Sequence, residues 1–140
     1  MSADPGGDVR AAIEAAGIGF TVGTNLFDGP ERSQGTGVPN EAAFVLPYGG
    51  SPPSAFCGNR TAEERYPAVQ VLYRSDVDDF DGGESTARAI LGALHHQTIS
   101  RGIGGSYTDC TGLQSLPLYI GVDESRRHRW TINLELWHRE

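Results

Sequence analysis

The stretch Leu116-Pro-Leu-Tyr-Ile-Gly-Val-Asp-Glu-Ser-Arg-Arg-His-Arg-Trp-Thr-Ile-Asn-Leu-Glu-Leu-Trp-His-Arg-Glu140 reads as two strands joined by a short polar turn. In the second strand Trp130, Ile132, Leu134 and Leu136 fall on one face, and Arg129, Thr131, Asn133, Glu135 and Arg139 on the other. Successive side chains of a strand point to opposite faces, so this alternation describes a sheet with one face on a core. Only Trp137 breaks it. The other face is polar and aromatic and carries no catalytic group, which is the character of a surface that touches other proteins.

Working back towards the N-terminus, Asp8 precedes an apolar stripe of Val9, Ala12, Ile13 and Ala16, with Gly17 as a stop. This predicts a short amphipathic helix capped by Asp8 and ended by a glycine. Phe20, Val22, Thr24 and Leu26 alternate as a first strand, Ala42 to Tyr48 forms a second and Pro67 to Arg74 a third. The turn-forming residues of 28–40 and 49–65 predict two long loops. Asp81, with Glu84 three residues later, predicts the start of a second helix whose buried stripe is Ala87, Ile90, Leu91 and Leu94. On that helix His96 points away from the core and His95 lies at its flank. A fourth strand near Tyr107 to Cys110 and the terminal hairpin complete the order α-β-β-β-α-β-β-β. Two helices against a mostly antiparallel sheet make an α+β sandwich, here one domain spanning residues 1–140.

Composition narrows the function. A chain of 140 residues buries roughly two-thirds of the surface its unfolded form exposes, enough for a genuine core. A net charge of −7 argues against a nucleic-acid binder, which needs a basic surface to neutralise phosphates. All 11 basic residues are arginine, as a GC-rich coding genome would give. No apolar window of about 18 residues exists to cross a membrane as a helix, and Met1-Ser-Ala-Asp-Pro-Gly-Gly is not a secretory signal. Cys57 and Cys110 are far apart without C-x-x-C spacing, so free thiols are expected.

The chemical constellations are weak. Asp76, Asp78, Asp79 and Asp81 lack the glycine and glutamate positions of a calcium loop. They read as a solvated helix start. His95, His96, His128 and His138 lack the three-to-five-residue spacing of paired zinc ligands on one element. Gly102-Ile-Gly-Gly-Ser and Gly49-Gly-Ser are not followed by Lys-Ser/Thr and do not form a phosphate loop. No nucleophile, base and orienting group come together. No catalytic, cofactor or metal residue is therefore assigned, and the protein is read as not an enzyme. The basic Arg126-Arg-His-Arg129 segment is expected to make salt bridges to an acidic neighbouring subunit.

Five segments, in order, resemble the small tail terminator proteins of long-tailed bacteriophages, also described as minor capsid or tail completion proteins. They are Asn25-Leu-Phe-Asp-Gly, Phe44-Val-Leu-Pro-Tyr-Gly-Gly, Tyr66-Pro-Ala-Val-Gln-Val-Leu-Tyr-Arg74, a helix with Ala87 and Leu94, and Leu116-Pro-Leu-Tyr-Ile-Gly-Val-Asp-Glu-Ser-Arg-Arg followed by Trp130-Thr-Ile-Asn-Leu. Two departures stand out. The stretch from Gly50 to Tyr66 is longer than the family pattern and includes Cys57, and the turn Asp123-Glu-Ser-Arg lacks a glycine.

The resemblance implies a non-enzymatic, homohexameric ring in the virion, at the tail–neck junction, assembled in the bacterial host cytoplasm. Such a ring caps the head-proximal end of the tail tube, stops its polymerisation and joins tail to head. Its partners would be further copies of itself, the major tail tube protein and a neck or head-completion connector, while genomic DNA passes through the lumen without specific binding. Asp76, Asp78, Asp79, Asp81, Arg126, Arg127 and Arg129 are the expected subunit-interface residues. The alternatives are a head-side connector, or a small metal- or ligand-binding module or enzyme using His95, His96 and the 76–81 carboxylates.

Overall fold

The structure, a computed structural model, describes residues 4–31, 37–56 and 59–139. Its elements run α1 (Pro5–Ala15), β1 (Leu26–Asp28), β2 (Ala42–Phe56), β3 (Asn59–Val77), α2 (Phe80–Leu94), β4 (Asp109–Gly112), β5 (Leu118–Val122) and β6 (Arg127–Arg139). The order expected from sequence holds. The sheet runs β1-β2-β3-β6-β4, with β5 pairing the first half of β6 and β4 the second half. All pairings are antiparallel except β1 with β2.

Both helices lie on one face of this sheet. Val9 and Ile13 from α1, and Ala87, Ile90 and Leu94 from α2, pack with Val45, Val69, Val71, Tyr73, Trp130, Ile132, Leu134 and Leu136. The terminal strand's apolar face is thus the floor of the core, as its alternation requires. Tyr73 stacks on Trp130 with ring centroids 5.9 Å apart and meets Phe20 edge-on at 5.9 Å. Among the described residues no helix covers the opposite face of the sheet.

Local details depart from the sequence reading for identifiable reasons. Asp4, not Asp8, caps α1: its carboxylate accepts from Gly7 N at 3.0 Å and Pro5 takes the first helical position, where its missing N–H costs nothing. Likewise Asp79 rather than Asp81 caps α2, accepting from Gly82 N at 3.0 Å. The first strand is shorter and later than Phe20–Leu26. Gly19 and Gly23 take positive φ, and Asn25 Oδ1 accepts from Thr21 N at 2.8 Å, folding 19–25 into a turn. Phe20 is nevertheless buried. The fourth strand begins at Asp109 instead of Tyr107.

The largest correction is the loop expected at 49–65. β2 and β3 pair from Ala42↔Arg74 out to Phe56↔Asn59, with register shifts between Pro47 and Gly50, Ser51 and Ser54, and Ala55 and Phe56. Bulges absorb the glycines and prolines that erase the period-two pattern. β3 keeps β6 as a partner only as far as Glu64↔Arg139. The tip of the hairpin therefore projects past the sheet as a two-stranded arm. Cys57 lies outside the described residues, as does part of the expected 28–40 loop.

Candidate functional site

The β5–β6 turn is built around one carboxylate. Asp123 accepts from Ser125 N at 2.9 Å, Arg127 N at 3.0 Å and Arg127 Nε at 2.9 Å. Burial alone would raise its pKa; the hydrogen bonds and charge of Arg127, with the Ser125 amide, outweigh burial and hold it below the ordinary aspartate value. The left-handed position usually given to glycine is taken by Arg126, at φ 61°. The Asp123 network holds the turn without the glycine.

Beside this turn lies a charged cleft of about 620 Å³ in which three arginines, Arg74, Arg127 and Arg129, are balanced by three carboxylates, Glu31, Asp123 and the exposed Glu124. Strand register creates it, because Arg74 and Arg129 face each other across β3 and β6. Arg74 is buried. It donates from Nε to Asn40 O at 2.8 Å and from Nη2 to Pro39 O at 2.7 Å, and lies over the Phe44 ring at 5.2 Å. Burial lowers its pKa, and the positive charge of Arg127 adds to that. Glu31 bridges the cluster, 3.4 Å from Arg74 Nη1 and 3.1 Å from Arg129 Nη2. The Arg129 Nε is buried, and no described residue accepts its proton.

The residues expected to meet a neighbouring subunit gather at this corner, with partners inside the chain. Asp78 sits 3.3 Å from Arg126, Arg127 pairs with Asp123 and Arg129 with Glu31. Asp76 accepts from Val77 N at 2.8 Å, Asp79 caps α2 and Asp81 lies in its exposed first turn. Sequence reasoning missed Arg74 and Glu31, whose meeting depends on pairing between distant segments. It also missed the exposure of β5, where Leu118, Tyr119, Ile120 and Val122 all face solvent.

The histidines and carboxylates of the alternative enzyme reading do not converge. Asp79 caps the start of α2 and His95 its end, so the helix separates them by roughly 24 Å at 1.5 Å per residue. His95 Nδ1 accepts from Gly112 N at 2.8 Å, and His96 pairs with Asp109 at 3.1 Å. The Cys110 thiol is buried, and burial, with the charge of Asp109, pushes it up to about 12, away from nucleophilic use. Among the described residues no three His, Cys, Asp or Glu side chains gather as a metal site. A groove of about 730 Å³ between the helices is lined largely by alanines of α1 and α2.

The described residues thus form a helix-backed sheet with an exposed apolar edge strand at β5. Residues 38–137 match the sequence profile of a family described as "Bacteriophage tail terminator protein", and the chain belongs to that family. Membership makes it a structural phage tail protein and not an enzyme. A chain of a solved structure titled "Virion of native gene transfer agent (GTA) particle" shares the fold, with a TM-score of 0.59, 16% identity and 96% of each chain covered. No curated protein matches the sequence.

Proposed function

We propose that copies of this chain close into a hexameric ring that caps the head-proximal end of the phage tail tube, ends its polymerisation and joins it to the neck. Family membership across residues 38–137 carries the reading. The likeness in fold to a chain from a gene transfer agent virion supports a place in the particle. The major tail tube protein would lie on one side of the ring, a neck connector on the other, and DNA would pass through the lumen. A chain of net charge −7 suits a conduit that must not hold phosphate. The acidic turn Asp76–Asp81 and the arginines 126, 127 and 129 belong to the subunit contact; the Asp78–Arg126 pair is solvent-exposed and able to exchange, whereas Arg127 and Arg129 are held mainly by Asp123 and Glu31.

Deleting the gene should leave tails that are overlong or unattached to heads under the electron microscope, and the protein supplied in trans should restore joined particles. Normal tails joined to filled heads in its absence would overturn the assignment.

A further inference from the structure

The outer edge of β4 is closed by the end of α2. Among the described residues β4 has β6 as its one strand partner, along Asp109–Gly112. On the other side His96 N donates to Cys110 O at 2.7 Å, and Gly112 N donates to His95 Nδ1 at 2.8 Å. His96 takes the left-handed backbone, φ 56°, that commonly ends a helix. A Cβ at Gly112 would lie 2.7 Å from Leu91 Cδ1 and 3.4 Å from His95 Nδ1, so glycine is what lets the helix end come this close.

The bond from Gly112 depends on protonation. A ring nitrogen accepts a hydrogen bond only while it carries no proton, and in the imidazolium both nitrogens are donors. His95 therefore holds Gly112 as the neutral tautomer with its proton on Nε2. A proton added to Nδ1 would set two donors against each other and break the contact. His95 is only partly buried, so a proton reaches it with the core intact. Imidazole is the side chain whose charge changes between about pH 5 and 8.

The charged neighbours leave that acceptor role in place. On α2 the His96 ring lies 3.9 Å away, centroid to centroid, and Arg88, two turns back, pairs with Glu84 at 2.9 Å. Gln97, just after the helix, is uncharged. From β4 come Asp109, 3.1 Å from His96 Nδ1, and the buried Cys110 thiol, while Glu135 of β6 stands opposite Thr111. The hydrogen bond with His96 holds the Asp109 pKa below the ordinary aspartate value, so it stays a carboxylate while histidines titrate. Asp109 thus answers His96, and the Gly112 amide answers His95.

We propose that His95 is a pH-sensitive latch on the β4 edge: neutral, it closes the edge by accepting from Gly112, and protonated, it releases it. Release bares the Gly112 N–H on the outer side of β4, and bare strand edges are where other chains add. The latch stands independently of the ring reading.

Amide exchange of the full-length protein tests it, with each rate divided by its intrinsic value at the same pH. Protection of the Gly112 amide should fall about fivefold or more from about pH 7.5 to about pH 5, while Val71 and Ile132 keep theirs. His95→Asn offers an amide oxygen near the Nδ1 position, an acceptor that does not titrate, and should hold Gly112 equally at both. His96→Ala should retain the acid response, because Gly112 is not bonded to that ring.

A level Gly112 protection in wild type would overturn the latch. A fall matched by Val71 and Ile132 would do the same, since acid would then be loosening the whole fold. An acid response that survives in His95→Asn would assign the titration to another group. Should His95→Asn fail to protect Gly112 even at neutral pH, the ring nitrogen shifts of wild-type His95 decide: a proton on Nε2 upholds the proposal and a proton on Nδ1 rejects it.

Discussion

Tyr107 donates a 2.6 Å hydrogen bond to the carboxylate of Asp8, joining positions 99 residues apart. The second oxygen of Asp8 accepts from Gly102 N at 2.8 Å, so one buried side chain fastens α1 to the loop before β4. Replacing Tyr107 with Phe leaves that carboxylate with a single partner. The cost of such an under-satisfied buried group is about 1–3 kcal/mol, and urea unfolding at neutral pH should show it. An unchanged midpoint would mean that water replaces the phenol without loss.

The same phenol fixes a pH dependence. Burial, then the hydrogen bond and charge of Asp8, raise the Tyr107 pKa above its ordinary value of 10.0, and burial with Glu41 does the same for Tyr73. The unfolded chain therefore loses these protons first as pH rises. Stability is fully present below about pH 10 and falls above it as unfolding releases protons. Tyr107→Phe should flatten this alkaline decline relative to wild type in thermal melts across that range; an identical slope would remove Tyr107 as a contributor.

How much of this was readable from the chain depends on the range of the interaction. The β6 alternation and the α2 stripe were legible because each element's burial is written in its own period. Trp130 and Leu136 lie where that period puts them, on the core side. The caps were misread by short steps, since Asp4 and Asp8, or Asp79 and Asp81, offer the same chemistry and only backbone geometry chooses between them. The arm was illegible because Gly49, Gly50, Pro52 and Pro53 are turn formers by type, and only pairing with β3 makes them strand. The arginine cleft was half visible: Arg127 and Arg129 are adjacent to the turn, whereas Arg74 and Glu31 reach it through the register of β3 and the path after β1.

Two glycines of α2 should respond in opposite directions to the same change. A Cβ at Gly83 would lie 2.7 Å from both Ser75 Cβ and Trp130 Cη2, where α2 faces the sheet. Gly83→Ala should destabilise by about 1–3 kcal/mol through overpacking. A Cβ at Gly92 meets nothing within 4 Å, so Gly92→Ala should stabilise the helix by about 0.5–1 kcal/mol. Chemical denaturation of both variants side by side checks the pair, and equal effects would discard the packing account.

Gly50 sets the geometry at the base of the arm. It takes φ +109° at the first register shift of β2, and a Cβ there would fall on the Tyr66 carbonyl oxygen. Neither the backbone angle nor the space suits any other residue. Because the clash is with main chain and not with a movable side chain, Gly50→Ala must displace β2 from β3 at the base of the arm. The core pairs from Ala42 to Pro47 lie on the other side of the shift. Amide exchange should therefore quicken in 51–56 and 59–66 while the amides of Val45, Val71 and Ile132 keep their protection. The thermal midpoint of the folded core should move little. A variant that loses protection in the core to the same degree would show that the arm and the sheet unfold as one unit.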